Sequence, residues 1–157
     1  MQIYAKVSGG IIMKKFFLLP CIIFLMLISK SYASEADAII GEWYTDSGKS
    51  IVEIQKCDYS YCGKITWLKE PKYEDGTEKI DKENPEVSKR NTPIIGLTII
   101  QDFKYKGSNK WSDGKIYDPE NGKTYSCKMK LKGNKLKVRG YIGISLLGRT
   151  TVWEKKM

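Results

Sequence analysis

Between residues 124 and 131 the polarity of the chain changes at every step. Tyr125, Cys127, Met129 and Leu131 fall on one face, and Thr124, Ser126, Lys128 and Lys130 on the other. The period is two, not 3.6, so this segment is a strand with one dry and one wet side. Lys132-Gly133-Asn134 is a turn. Residues 135–142 then alternate again, with Leu136, Val138 and Ile142 on the dry side, which completes a hairpin.

Much of the remaining chain follows this pattern. Residues 42–45 and 50–55 flank the turn Asp46-Ser47-Gly48-Lys49. Residues 63–68, 97–105, Trp111 with 115–117, and 150–155 supply further strands. The turns Asp46-Ser47-Gly48-Lys49 and Asn121-Gly122-Lys123 carry glycine where a hairpin needs positive φ. Neither has the spacing of a phosphate loop or a helix behind it. The expectation is an all-β chain, an antiparallel meander of eight or nine strands, closed as a barrel or paired as a sandwich. Residues 69–93 break the pattern. They are polar, with Pro71, Asp75-Gly76, Asn84-Pro85 and Pro93. So long an irregular segment either lids one end of a barrel or is a disordered surface loop. Residues 84–91 have room for one or two helical turns.

The chain opens with a leader. Met13-Lys14-Lys15 precedes an apolar run of 13 residues, 16–28, and Ser31-Tyr32-Ala33 supplies a small-residue cleavage site. That run is short of the roughly 20 residues of a membrane-spanning helix. The reading is a signal-peptide helix within residues 1–33, cut after Ala33. A retained anchor is the alternative. Met13 is the candidate start, and residues 1–12 are an upstream extension. Cys21 lies inside the apolar run behind Pro20, which does not suit a lipidation site. Residues 34–157 form one domain of 124 residues, exported to the periplasm or secreted, with no membrane span after cleavage.

Charge and composition narrow the function. The formal charge of the whole chain is +9, but Lys6, Lys14, Lys15 and Lys30 leave with the leader, so the exported chain is near +5. That is mildly basic and is not the dense patch that nucleic acid demands. There is no histidine, which excludes a histidine base and a histidine zinc site. Cys57 and Cys62 either close a tight loop as a disulfide or stay as free thiols. Cys127 points inward, as a buried thiol.

The candidate lining is aromatic: Trp43, Trp67, Phe103, Tyr105, Tyr117, Tyr125, Tyr141 and Trp153 are spread over nearly every strand. In a small barrel they either fill the interior or wall one ligand. Gln101 shares a face with Ile99 and Phe103 and so is expected inside, where a buried amide needs a partner. Trp67, Gln101, Phe103, Tyr117, Tyr125 and Trp153 are therefore the candidate ligand-binding residues. Glu53 and Asp102 sit on strands without a legible acid–base partner, and no nucleophile–base pair is readable. Catalytic residues, metal ligands and a cofactor are not implied.

Gly41-x-Trp43, Val52-Glu53-Ile54, Cys57 with Cys62-Gly63-Lys64-Ile65, Asn84-Pro85, Pro93-Ile94-x-Gly96-Leu97, Ile116-Tyr117-Asp118-Pro119, Gly122-Lys123-Thr124-Tyr125, Arg139-Gly140-Tyr141-x-Gly143 and Gly148-Arg149-Thr150 run in order along the chain. Together they resemble the bacterial exported family catalogued as domain of unknown function 2147. The resemblance implies a lipocalin-like (calycin) β-barrel with no established activity. In such barrels a Gly-x-Trp on the first strand is stacked by an arginine from the last, and Arg149 is the candidate here, opposite Trp43. One position departs: Thr92 stands before Pro93 where family members often carry Arg or Gln.

The functional expectation is a binding protein for a small apolar or amphipathic ligand. The alternative is an envelope interaction protein with a filled barrel. Its basic outer residues Lys128, Lys130, Lys135, Lys137 and Arg139 would meet anionic lipid or polysaccharide, or serve solubility alone. A carboxylate glycan hydrolase ranks behind both, and a nucleic-acid partner behind that.

Overall fold

A computed structural model describes residues 34–157 of the protein. The expected signal peptide, cleavage site and upstream extension, with Cys21, lie outside the described residues.

Eight strands follow in order: β1 (Gly41–Tyr44), β2 (Ser50–Cys57), β3 (Ser60–Leu68), β4 (Thr98–Tyr105), β5 (Lys110–Asp118), β6 (Lys123–Lys132), β7 (Lys135–Tyr141) and β8 (Arg149–Lys155). Each pairs antiparallel with the next, and β8 returns to β1 through Trp43↔Lys155 and Tyr44↔Glu154. The meander is thus a closed barrel, not a sandwich, and closure leaves no sheet edge. The β6–β7 hairpin has the anticipated register, with Met129 opposite Val138 and Leu131 opposite Leu136. Gly133 makes its turn at φ +58°. Cys127, Met129, Leu136 and Val138 are buried inside. Burial pushes the Cys127 thiol up to about 12. Ile142 was expected on the dry side and is instead 68% exposed, because β7 ends at Tyr141 and the chain leaves the wall there.

Alternation fails where the pairing register shifts, and two of these places decide predicted site residues. In β4, Ile99, Ile100 and Phe103 are buried while Gln101 and Asp102 face solvent. Asp102 adopts φ +62° and Asp113, in the neighbouring strand β5, φ +64°. The β3–β4 register shifts between Tyr61↔Phe103 and Gly63↔Ile100, and the β5–β6 register between Trp111↔Met129 and Gly114↔Cys127. The extra residue inverts parity, so Gln101 is outside and not the inward amide its spacing suggested. Phe103 stays inside, its ring lying on Gly114, where any Cβ would collide with it. The second bulge is at Thr66. Ile51 pairs with Trp67 but Val52 pairs with Ile65. Trp67 lies beyond that step and is 41% exposed, so it does not join the interior.

The two ends of the barrel differ in construction. The β2–β3, β4–β5 and β6–β7 turns gather at one end with the C-terminus. The Lys155 amide donates to the Asn134 carbonyl and the Leu131 amide to that of Asn109. A 3-10 turn, Glu35–Ile39, plugs this end, capped by Ser34, whose hydroxyl accepts from the Ala36 amide. Cys57 and Cys62 stand here at disulfide distance across the β2–β3 turn, with Cα atoms 5.8 Å apart. The long β3–β4 connection and the β5–β6 and β7–β8 loops gather at the other end, the mouth.

Candidate functional site

The floor of the barrel is solid. Trp43, Phe103 and Trp111 are fully buried, and Trp153, Met129 and Leu136 pack among them. Indoles bring an N–H that burial leaves needing an acceptor. The plug supplies it: Trp43 Nε1 donates to the Ile39 carbonyl at 2.8 Å and Trp111 Nε1 to that of Ala36 at 3.1 Å. The Tyr61 hydroxyl donates to Asp37 Oδ1 at 2.6 Å. Burial first, and then the Asp37 carboxylate, hold the Tyr61 proton far above its ordinary range.

The cation against Trp43 is Lys155, not Arg149. Lys155 Nζ lies 5.4 Å from the indole centroid and donates to the Ala38 carbonyl at 3.4 Å. Arg149 starts β8 opposite Gly140, six residues from Lys155. At about 3.3 Å per residue that is roughly 20 Å along the strand, at the mouth end and not the floor. The Trp–cation contact is therefore made by a different residue from the one that the resemblance suggested.

The mouth is built from polar groups. Residues 69–97 form an ordered strap. Bridges Lys72↔Glu78 and Ile80↔Pro93 tie it internally, and Val87–Lys89 adds one 3-10 turn. Ile94 enters the core of the barrel. At the centre of the strap sits Asp81, fully buried. Its Oδ1 accepts from the Tyr117 hydroxyl at 2.7 Å and its Oδ2 from Asn84 Nδ2 at 2.7 Å. The Asp81 amide donates to the carbonyl of Thr92, the residue at which this chain departs from the family pattern. Arg90 Nε donates to the Asn84 carbonyl at 2.8 Å. A buried carboxylate held by donors in this way is compensated at every contact named. Burial, then the bond to Asp81, pushes the Tyr117 phenol up to about 12.

The β5–β6 turn locks onto the strap. Gly122 has φ +68°, and a Cβ there would strike the carbonyl of Glu83. Asp118 accepts from the Glu120 amide and from Asn121 Nδ2, and the same Nδ2 donates to the Tyr125 hydroxyl at 3.2 Å. Tyr117 and Tyr125 are both half-buried at this end, but the register pairs Tyr125 with Ile116 and Tyr117 with Thr124, so the two rings leave opposite faces of the wall. Below them Gly140 faces Tyr125 and Ile116, with room for ordinary contact but no side chain of its own.

Of the six residues expected to line a ligand, Tyr117 and Tyr125 stand at the mouth end, Tyr125 beside Ile116 and Gly140 and Tyr117 against Asp81 of the strap. Phe103 and Trp153 belong to the packed floor, and Gln101 and Trp67 lie on the outside. Asp81 and Asn84 were missed. Asn84-Pro85 signalled only a turn, and Asp81 sits in a polar segment with no periodicity to mark it as buried. Two grooves, of about 420 and 620 Å³, lie on the outer wall. The first is lined by lysines of β5–β7, the second by Tyr44, Thr45, Lys135 and Glu154 among others.

Comparison with known proteins agrees with this architecture. The lipocalin-family protein HP1028 from the human pathogen Helicobacter pylori superimposes with a TM-score of 0.65 at 24% identity, over 75% of this chain and 82% of that one. At that identity the likeness shows the fold. No curated protein matches the chain. The bacterial family described as "Uncharacterized protein conserved in bacteria (DUF2147)" matches residues 41–155, which spans all eight strands. A lipocalin-like closed barrel and that match agree with each other, and the chain belongs to this family of uncharacterized bacterial proteins.

Proposed function

We propose that this protein is exported, to the periplasm or beyond the cell, and holds a small apolar or amphipathic ligand at the mouth of its barrel. The observation that carries the reading is the unequal filling of the tube. Trp43, Phe103, Trp111 and Trp153 pack the floor, whereas Tyr125 and Ile116 are only half-buried at the mouth, with the bare Gly140 against them. Eight-stranded barrels are wide enough to be filled by side chains or to hold one small molecule. Here the floor follows the first pattern and the mouth suits the second. Apolar walls with one or two hydroxyls are the usual lining of such a site. The Tyr125 hydroxyl is the polar anchor. The Tyr117 hydroxyl is already engaged by Asp81. The reading assigns no catalytic step.

Native mass spectrometry of protein purified from its own host tests this directly. A co-purifying small molecule, lost in Gly140→Leu, is the expected result. An empty barrel that also fails to take up a fluorescent fatty-acid probe would overturn it. The packed floor favours that second reading, an envelope interaction protein whose barrel holds no ligand.

A further inference from the structure

The β7–β8 connection, residues 142–148, reads Ile-Gly-Ile-Ser-Leu-Leu-Gly. Loops on a soluble surface are ordinarily polar. Here Ile142, Ile144, Leu146 and Leu147 are all exposed, the two leucines by 84% and 82%. Contiguous exposed apolar surface marks a contact site.

The tip of the loop is tied to the barrel by its carbonyls. Arg139 on β7 donates through Nε to the Ser145 carbonyl at 2.8 Å and through Nη2 to the Leu146 carbonyl at 3.0 Å. Its Nη1 donates to Thr150 Oγ1 at 2.7 Å. Lys128 Nζ bonds Ser145 Oγ at 3.1 Å. The amides of Leu147 and Gly148 donate within the loop, to the carbonyls of Ile144 and Ser145. The carbonyls of Ser145 and Leu146 are tied inward while the two leucine side chains point outward, which lowers the cost of placing this tip in a medium poor in hydrogen-bond partners.

Beside the loop the outer wall is cationic to a degree that costs stability. Lys128 stands directly opposite Arg139, Lys130 opposite Lys137, and Lys132 opposite Lys135. Lys110 adds to this from β5, opposite Lys130. Like charges directly across a pair of strands are destabilising. Among the described residues only Lys135 of these has an acidic partner, Glu154. Lys110, Lys128, Lys130, Lys137 and Arg139 line the groove of about 420 Å³, and Lys128 and Arg139 also hold the loop. Apolar tip and cationic groove are therefore one continuous surface.

We propose that residues 142–148, with Lys128, Lys130 and Lys137, dock this protein on a bilayer containing anionic phospholipid. Leu146 and Leu147 enter the acyl boundary and the lysines meet the phosphates. Only a bilayer satisfies both halves: a polyanion leaves the leucines in water, and a second copy of the chain brings lysines against lysines. Interfacial binding of this kind scales with buried apolar area plus attraction to anionic lipid. The proposal does not rest on a ligand in the barrel.

Residues 34–157 close their own barrel, so this unit is used for the test. It is mixed with vesicles of phosphatidylcholine alone or of phosphatidylcholine with phosphatidylglycerol, and sedimented. Binding to the anionic vesicles is expected to exceed that to neutral ones by at least about tenfold and to weaken with salt. Leu146→Asp with Leu147→Asp lowers it by about tenfold or more, and near-UV circular dichroism is unchanged because both side chains are in solvent. Lys130→Gln with Lys137→Gln removes the preference for anionic vesicles while leaving the loop intact. The proposal is overturned by absence of vesicle binding, by equal binding to both compositions, or by insensitivity to the aspartates. It is also overturned if a dimer dissolved by those aspartates forms without vesicle binding. Uptake of the fatty-acid probe should be the same in both variants, so the docking and ligand readings fail separately.

Discussion

Floor and mouth of this barrel solve the same problem with opposite chemistry. At the floor, large apolar side chains exclude water, and the indole N–H groups of Trp43 and Trp111 find backbone carbonyls of the Glu35–Ile39 turn. At the mouth, a fully buried aspartate gathers donors from Tyr117 and Asn84 and holds a polar strap in place. The floor is stabilised by area, which is tolerant of small geometric change. The mouth is stabilised by individual hydrogen bonds, where loss of one partner leaves a buried group unsatisfied. The proposed binding role would use that division: one end shut by packing, the other held by contacts that can be broken one at a time.

The sharpest way to break the comparison is at the floor. Trp43→Ala should destabilise the domain by about 3–5 kcal/mol in a denaturant titration, since the indole is fully buried. A near-neutral result would mean that the floor is not what closes the barrel. Next is Gly122→Ala at the mouth. Its positive φ and the collision with the Glu83 carbonyl should cost about 1–3 kcal/mol and detach the β5–β6 turn from the strap, read as faster amide exchange across residues 80–84.

Tyr117→Phe should cost about 1–3 kcal/mol, because Asp81 stays buried with one donor fewer. The same residue gives a pH signature. The folded phenol titrates at about 12, above the ordinary value of 10.0. Its contribution is therefore complete below pH 10 and is lost as pH rises from there towards 12. In urea midpoints measured across that window, Tyr117→Phe should fall less steeply than wild type. An identical slope would remove Tyr117 from the account. Smallest is the cation on Trp43. Lys155→Met should cost about 0.5–1 kcal/mol. Arg149→Ala, at the other end of its strand, should change stability by less than about 0.5 kcal/mol. Reversal of that order would restore arginine to the family-like position.

Legibility followed the same division. Strand positions were readable because alternation is local. The limits expected for the β6 and β7 strands differ from those observed by one residue at most ends. The buried Cys127, Met129, Leu136 and Val138 were readable from parity alone. Gln101 and Trp67 were not, because each lies past a bulge, and a bulge is a property of two paired strands. Asp81 was hidden for a related reason. One of its two carboxylate partners is Tyr117, 36 residues away, and no periodicity in its own segment marks it as buried.

The chain's own pattern determined an antiparallel all-β domain, the position of its hairpins, and the glycines that turn them, since period-two alternation and positive φ are decided by each residue and its neighbours. Tertiary structure alone decided which side of the wall residues beyond a bulge occupy, which cation reaches Trp43, and that a polar strap hides a carboxylate. Those outcomes depend on register around a closed ring and on partners far apart in sequence. Four apolar residues in the β7–β8 loop were visible as letters, but only the folded barrel places them in solvent beside a wall of lysines.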